Sequence, residues 1–159
     1  NHGQAQRYEH HFVGTNSRLD GLQAAVLRAK LKRLDAWSAA RAKNAARYDA
    51  MLEGISGVRT PAPVPAKEGR HVYNQYTIRC AKRDALRDHL AKHGVGTAVY
   101  YPIPLHLQKC FAHLGYKVGD MPHSEAAANE TIALPIYPEL SEDQIRYVAL
   151  TVREFVDQA

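Results

Sequence analysis

The sequence has 159 residues, which is the length of one ordinary domain, and 45% of them are hydrophobic and 23% charged, as in soluble globular proteins. The 21 Lys and Arg residues exceed the 16 Asp and Glu residues and give a net charge of +5, but no basic run with interleaved aromatic residues suggests nucleic-acid binding. A modest positive charge instead suits a small anionic substrate, such as a phosphate or a nucleotide ester.

Two structural classes are also excluded by composition. No apolar run approaches the ~20 residues that a membrane-spanning helix needs, so we expect no membrane segment. The two cysteines, Cys80 and Cys110, are too few for a disulfide framework and lack metal-ligand spacing, so we expect reduced thiols in a cytoplasmic protein. The sequence starts at Asn1 without an initiator Met or a signal peptide, and we expect it to continue from a preceding segment.

The first elements are a loop and a long helix. Residues 1–17 are polar and show no sustained period, which predicts a loop. Apolar residues then recur at helical spacing, and strong helix formers continue to residue 53. This pattern predicts one helix over 19–53, or two helices joined by a bend near Leu34, ended by Gly54 and Gly57.

Two strands and a second helix are predicted next. The prolines within 61–65 favour an extended, stiff connection. Aromatic and β-branched residues over 71–79 predict a strand, and leucines four residues apart predict a short helix over 84–92. A second strand is predicted over 95–101, ended by Pro102.

The last third of the sequence is predicted to be mainly helical. A short helical piece is predicted over 105–114, and a proline opens another helix over 122–131. Residues 134–138 predict an extended edge strand, because proline cannot serve a central one. Ser141 and Gln144 have the spacing of a capping box, which begins a final helix with one apolar face: Ile145, Val148, Val152 and Phe155.

This order of elements predicts the α+β class, with a long N-terminal helix followed by a small, mostly antiparallel sheet covered by helices. The strands are too short and too few for a doubly wound sheet. The apolar stripe over 19–34, together with Trp37, is expected in the core or at a dimer interface rather than around a ligand.

Three segments of the sequence together resemble one protein family. The first, over 8–34, contains Gly-x-Asn-x-Arg-Leu-Asp-x-Leu-Gln; the second, over 99–106, reads Val-Tyr-Tyr-Pro-Ile-Pro-Leu-His; the third is Leu-Pro-Ile-Tyr-Pro over 134–138. In this order and spacing they resemble the C-terminal half of the DegT/DnrJ/EryC1/StrS nucleotide-sugar aminotransferases, which are fold type I enzymes that use pyridoxal 5'-phosphate (PLP). The resemblance covers essentially the whole sequence.

The resemblance implies that the cofactor-binding lysine lies upstream, in a larger N-terminal domain. Residues 1–18 would then be a loop continuing from that domain, and residues 19–159, with the linking helix 19–53, would be the small C-terminal domain. No lysine here matches the family's lysine motif, so no catalytic residue is assigned, and the chain alone is expected to be inactive.

The resemblance also implies an activity for the assembled enzyme. An amino group would pass from an amino acid, with glutamate the expected donor, to a keto group of a nucleotide-activated sugar for surface polysaccharide or antibiotic sugar biosynthesis. A cytoplasmic homodimer with active sites shared between subunits is implied as well. The alternative is a non-catalytic regulatory or binding module derived from the same family.

Two residues before the long helix are candidates for phosphate binding. Asn16 suits either a turn or helix N-cap, or donation to an oxyanion. Arg18 offers a rigid fork of donors for phosphate or carboxylate, and its alternative is an ion pair with Asp20 or another surface acid. The resemblance implies that Asn16 reaches the cofactor phosphate of the other subunit and that Arg18 lies near the substrate.

Three further residues are candidates for substrate contact. Tyr101 and His106 flank a stiff Pro-Ile-Pro turn, which suits residues that must meet a ligand precisely. His11 is expected to pack in the loop or to lie beside the sugar. It adjoins His10, and adjacent histidines have poor geometry for one metal ion, so no metal site is predicted.

Overall fold

The computed structural model describes residues 2–65, 67 and 69–158. The helices are α1 (Gly21–Leu31), α2 (Leu34–Leu52), α3 (Arg83–Lys92), α4 (Pro122–Glu130) and α5 (Glu142–Gln158). The strands are β1 (Gln4–Gln6), β2 (Glu9–His10), β3 (Val58–Arg59), β4 (Tyr76–Cys80) and β5 (Thr131–Leu134). β1 and β2 form a hairpin, and the other three strands form an antiparallel sheet in the order β3-β4-β5. The predicted α+β class, with a small antiparallel sheet covered by helices, is confirmed.

The core lies between the sheet and the helices α2, α3 and α5. Burial alternates along β4, where Tyr76, Ile78 and Cys80 are buried and the two residues between them are only half-buried. This alternation follows from the period of two in a strand, which turns every second side chain to the same face. The same apolar cluster receives Tyr48 from α2 and Ile145 from α5.

Two tyrosines join α2 to the sheet. The rings of Tyr48 and Tyr76 stack with their centroids 4.9 Å apart. Their hydroxyls donate to different partners, Tyr48 to the Pro135 carbonyl at 3.1 Å and Tyr76 to the Asp49 carboxylate at 2.6 Å. Burial raises the pKa of both hydroxyls, so both stay protonated donors in the native state.

The predicted N-terminal helix divides into α1 and α2, as the alternative with a bend near Leu34 expected. Asp20 is the N-cap of α1, and its carboxylate accepts a hydrogen bond from the backbone N–H of Gln23 at 2.8 Å. The Gln23 side chain in turn accepts from the backbone N–H of Leu19 at 2.8 Å. This reciprocal arrangement satisfies the Gln23 N–H in the first turn of the helix and the Leu19 N–H in the residue before the cap.

The apolar stripe of α1 is not part of the core. Of the two locations predicted for it, the core and a dimer interface, the core is therefore wrong. No residue of α1 is buried, and 79% of Leu22 is exposed. The other large apolar side chains on and around α1 are exposed as well: Leu19, Val26, Leu27, Leu31 and Leu34. A place for this stripe at a subunit interface therefore stays a prediction.

The predicted strands are longer than the observed ones. Over 71–79 the strand begins only at Tyr76, because Tyr73 has a positive φ of 46° and Arg41 of α2 binds the Val72 carbonyl at 2.9 Å. The strand predicted over 95–101 is reduced to one antiparallel bridge, between Ala98 and Ala133.

The remaining predictions differ from the structure only locally. The edge strand predicted over 134–138 ends at its first residue, because the next residue, Pro135, has no N–H to pair. The N-terminal loop contains the β1–β2 hairpin. The helical piece predicted over 105–114 consists of two 3-10 helices, Leu105–Leu107 and Lys109–Leu114. No helix in the described ranges is long and apolar enough to cross a membrane.

The capping box at the start of α5 is confirmed. The backbone N–H of Gln144 donates to the Ser141 hydroxyl at 3.2 Å, and the Gln144 side chain accepts from the Ser141 N–H at 2.9 Å. Three residues of the predicted apolar face, Ile145, Val148 and Val152, are buried, and Phe155 packs against the core at its margin.

The Tyr76 hydroxyl gives a test of this core. We expect Tyr76→Phe to lower the free energy of unfolding by about 2 kcal/mol, because a hydrogen bond to a charged acceptor is lost and the ring is kept. Tyr116→Phe is the matched control, since the Tyr116 hydroxyl has no hydrogen-bond partner in the described part of the chain. Its effect should stay within about 0.5 kcal/mol in urea unfolding. Equal stabilities of the two variants would contradict the role given to Tyr76.

Candidate functional site

A cleft lies between the β1–β2 hairpin and the segment that follows the bridge at Ala98. Its volume is about 570 Å³, which is large enough for a small organic ligand. The hairpin side contributes Tyr8, His10 and Phe12, and the facing segment contributes Tyr101 and Leu105 among others. The cleft is therefore lined mainly by aromatic and aliphatic side chains.

One buried glutamine fixes the hairpin against the rest of the domain. Gln108 is 7% exposed and lies between the two 3-10 helices. Its side-chain oxygen accepts from the His10 backbone N–H at 3.1 Å, and its side-chain nitrogen donates to the Tyr8 carbonyl at 2.9 Å. Both the oxygen and the nitrogen of the Gln108 amide are hydrogen-bonded, so this side chain holds the hairpin in a fixed position against the two 3-10 helices.

Glu9 provides a second contact between the hairpin and the 3-10 helices. Its carboxylate forms an ion pair with Lys109 and accepts hydrogen bonds from Gln6 and from His11, the latter at 3.2 Å. The hydrogen bond from Lys109, followed by those from Gln6 and His11, lowers the pKa of Glu9 to about 2. The carboxylate is therefore ionised at neutral pH and holds this side of the hairpin in place.

Two glycines allow the backbone strands beside the cleft to approach closely. A Cβ atom on Gly3, which has a φ of +75°, would lie 1.8 Å from the Phe12 carbonyl oxygen. A Cβ atom on Gly14 would lie 2.4 Å from the Gly3 nitrogen. The two positions therefore need residues without side chains, and the contact is sealed by a hydrogen bond of 3.0 Å from the His11 N–H to the Gly3 carbonyl.

A cluster of tyrosines forms the mouth of the cleft. The Tyr8 ring lies edge-on to Tyr100 and Tyr101, with centroid distances of 6.5 and 5.6 Å. The guanidinium of Arg7 lies 5.0 Å from the centroid of the Tyr8 ring. Tyr101 is 62% exposed, so its face and hydroxyl are available to a ligand. Flat aromatic rings beside a cation suit a ligand with a sugar or planar ring and a negative charge.

Asn16 and Arg18 lie in the extended segment between the hairpin and α1, outside the lining of the cleft. Both are exposed. The N-cap of α1 is Asp20, and Asn16 lies outside any turn, so the two local roles considered for Asn16 are not observed. Arg18 forms no ion pair with Asp20 or with any other acid among residues 2–65, 67 and 69–158. Both polar groups are thus free to bind something outside the chain.

His11 and His106 are placed differently from each other. His11 is exposed beside the hairpin, where its side chain contacts Glu9. His106 is 6% exposed, and its Nε2 lies 3.1 Å from the Glu125 carboxylate of α4. It does not line the cleft, so the structure does not bring it together with Tyr101.

Glu125 links His106 to the loop before α4. Its carboxylate accepts from the Gly119 N–H at 2.9 Å and from the Met121 N–H at 3.2 Å, as well as from His106. Burial alone would raise the pKa of Glu125, but these hydrogen bonds outweigh burial and lower it. The carboxylate therefore stays charged at neutral pH, and it fixes both His106 and this loop.

Sequence reasoning missed several residues that line the cleft or hold segments near it in place. Gln108 carries no motif, and its role depends on a contact with residues about a hundred positions away. Glu125 lies on a helix whose sequence pattern says nothing about its partners. Tyr8 is part of the first family-like segment, which was the one available signal for this position.

Residues 1–153 match the DegT/DnrJ/EryC1/StrS aminotransferase family. A "pleiotropic regulatory protein" of Geobacillus stearothermophilus is 48% identical over 154 residues, which are 97% of this chain and 41% of that protein. The dTDP-3-amino-3,4,6-trideoxy-alpha-D-glucose transaminase of Streptomyces venezuelae is 41% identical over 162 residues, which cover 100% of this chain and 42% of the relative. The chain thus spans about two-fifths of the length of the curated relatives it matches.

Solved structures agree with this match. The crystal structure of S. venezuelae DesV, in complex with a ketimine intermediate, superposes with a TM-score of 0.84 at 39% identity and covers 100% of this chain and 42% of that one. A DegT DnrJ EryC1 StrS aminotransferase from Brucella abortus gives 0.77 at 35% identity, over 97% of this chain and 40% of that one. The sequence match and the fold agree over nearly the whole length, and the chain belongs to the DegT/DnrJ/EryC1/StrS aminotransferase family.

Proposed function

We propose that this chain is the C-terminal part of a PLP-dependent aminotransferase that moves an amino group from an amino acid to a keto group of a nucleotide-activated sugar. The observation that carries the proposal is the pair of exposed, unpartnered polar groups at Asn16 and Arg18, which lie in a motif of the family, two and four residues after Gly14 of the cleft lining. The proposal includes glutamate as the amino donor, a homodimeric enzyme and a cytoplasmic location, as the family resemblance implies. The product would serve surface polysaccharide or antibiotic sugar biosynthesis.

The residues present fit one part of a PLP site. An exposed amide at Asn16 and an exposed guanidinium at Arg18 suit the phosphate of a cofactor and the anionic part of a substrate. No lysine lines the cleft, and Lys109 is paired with Glu9. Covalent attachment of the cofactor is therefore assigned to a lysine outside these residues, and no catalytic residue is assigned within them.

PLP, when bound, supplies the electron sink for amino-group transfer, and the protein supplies binding, orientation and charge. In this proposal Asn16 donates its amide N–H to the cofactor phosphate of the neighbouring subunit. Arg18 binds the anionic part of the substrate, and Tyr101 and His11 border the sugar. The apolar side chains of the cleft exclude water from the reacting groups.

For His106 we propose a positioning role in place of direct contact with the substrate. The His106 ring is buried and lies against Glu125. His106 directly follows Leu105, which lines the cleft. Through the contact between Glu125 and His106, α4 holds the segment that carries Tyr101 and Leu105 in place. The site geometry then depends on a buried charge-assisted hydrogen bond.

The exposed stripe of α1 supports the homodimer. Six large apolar side chains lie on and around one short helix without a partner in the described residues. Such a surface needs a covering element, and α1 follows directly after Asn16 and Arg18 in the chain. A neighbouring subunit that covers α1 would also lie close to both polar groups.

A second candidate function is a regulatory module. One relative bears the name "pleiotropic regulatory protein", and an EryC1 relative from Saccharopolyspora erythraea, 40% identical over 153 residues, is named a sensory transduction protein. The encoding reading frame separates the candidates. An upstream extension that contains a Ser-x-x-x-Lys-type segment favours the enzyme, and a start codon directly before Asn1 favours the module.

The absorbance spectrum of the full-length encoded protein tests the enzymatic proposal. We expect a visible band on addition of PLP, because a lysine-bound cofactor absorbs at longer wavelength than free PLP, and loss of that band on addition of glutamate. Residues 1–159 expressed alone serve as the control and should show neither change. A full-length protein without the band, or with a band that no amino acid alters, would contradict the proposal.

Asn16→Ala tests the assignment of the phosphate donor. We expect the variant of the full-length protein to retain PLP about 10- to 100-fold less tightly, because one hydrogen bond to a charged group is lost. Asn129→Ala, on the exposed surface of α4, is the matched control and should retain PLP like the wild type. Circular dichroism checks that both variants fold. Unchanged retention in Asn16→Ala would refute its role.

Glu125→Gln tests the positioning role of the His106–Glu125 pair. We expect KM for the sugar nucleotide to rise about tenfold with a smaller change in kcat, because the cleft wall loses its charged anchor and the reacting groups are untouched. Glu139→Gln, an exposed change outside the network, should leave both constants unaltered. A Glu125→Gln enzyme with lower thermal stability but an unchanged KM would mean that the pair is structural only.

A further inference from the structure

A second cluster of potential ligands lies at the junction of α3 and α5, remote from the cleft. His89 and His93 are four residues apart at the end of α3, so they lie on the same side of the helix. Glu154 approaches them from α5. One donor atom of each of the three lies within 4.8 Å of the others, and none of the three lines the cleft.

The two imidazoles each have a nitrogen free for a ligand. His89 Nε2 is buried and has no hydrogen-bond partner, which is a costly state for a polar atom. His93 Nδ1 lies 2.9 Å from the His89 carbonyl, so that contact fixes the ring and leaves Nε2 for other use. A backbone contact at one ring nitrogen is the usual way of orienting a histidine that binds metal through the other.

The Glu154 carboxylate completes the set. It is exposed and forms no ion pair with a Lys or Arg in the described part of the chain, and its one hydrogen bond comes from Gln158 at 3.2 Å. A second oxygen is therefore available. Two imidazoles and one carboxylate form a typical three-residue set for zinc, with a fourth position left to water.

The electrostatic surroundings also suit a cation. His93 is the C-cap of α3, and the last carbonyls of a helix carry partial negative charge. In the shallow depression beside His89, the charges of Asp88 and Lys92 offset each other. The Tyr147 hydroxyl already donates to the His93 carbonyl at 2.9 Å, so α5 holds this end of α3 in place before any ion binds.

We propose that His89, His93 and Glu154 bind one divalent ion of the zinc class, which links α3 to α5. Zinc requires donor atoms at about 2.0–2.2 Å, so the three side chains, whose donor atoms lie within 4.8 Å of one another, would close around the ion on binding. No metal site was predicted from the sequence, because neither the two cysteines nor the adjacent pair His10 and His11 has metal-ligand spacing, and the contact of α3 with α5 is not visible in the sequence. The proposal does not depend on the proposed aminotransferase function.

The test is a zinc titration of the full-length encoded protein, freed of metal with a chelator, using a chromophoric competitor. We expect the wild type to bind one equivalent of zinc. Glu154→Gln should bind it at least about tenfold more weakly, and His93→Gln about 100-fold more weakly. Removal of a residue that only orients a metal ligand already weakens metal binding by about 10- to 100-fold, and a ligand should matter no less. A double variant, His89→Gln with Glu154→Gln, should lose this equivalent altogether. Zinc should also raise the melting temperature of the wild type, but not that of the double variant.

A matched control removes the same number of polar side chains elsewhere. His113→Gln with His123→Gln, both exposed and outside the cluster, should keep the full equivalent and the stabilisation. Glu154→Gln keeps the buried ring in place, so it decides the matter if a His89 variant does not fold. No zinc binding by the wild type, or equal binding by wild type and Glu154→Gln, would overturn the proposal.

Discussion

The stacked pair of Tyr48 and Tyr76 is the contact on which the rest of the domain depends. It joins α2 to the central strand, and the two hydroxyls extend the contact to the connection after β5 and back to α2 itself. Both hydroxyls are hydrogen-bonded, so their burial costs little and the stacked rings add to the apolar core. With α2 fixed in this way, β4 and β5 pair in one register, and α5 packs over the same face.

The cleft is built on the outer side of this core by long-range polar contacts. Gln108 holds the backbone of the hairpin about a hundred positions away, and Glu125 holds the nearby Gly119 backbone and the His106 side chain. The backbone around the cleft is therefore positioned by satisfied hydrogen bonds, while apolar side chains line the cavity itself.

Much of the fold could be predicted from the sequence. Helix spacing, glycine stops and the Ser141–Gln144 capping box placed α2, α3 and α5 well, because these signals are local. The strands were overestimated, since Tyr73 adopts a positive φ for reasons that lie in its contacts and not in its residue type. The hairpin was missed because its pairing depends on Gln108, and no local pattern encodes that partner.

The candidate site was predicted only in part, for a similar reason. Tyr101 lines the cleft, and Asn16 and Arg18 are exposed, as a motif match suggests. His106 is buried, because the pattern of residues around a turn does not tell which side chain points outward and which points to α4. The motifs thus indicated the segment, and tertiary contacts decide which of its side chains are buried and which are exposed.

The exposed face of α1 has a consequence for how the chain behaves on its own. Six large apolar side chains in contact with water on and around this helix would favour concentration-dependent self-association, and binding by chaperones during synthesis. If a second subunit covers this face, as proposed above, it would have to do so before such association begins. In cells, the yield of usable protein would then be governed by the timing of assembly as much as by the stability of the core.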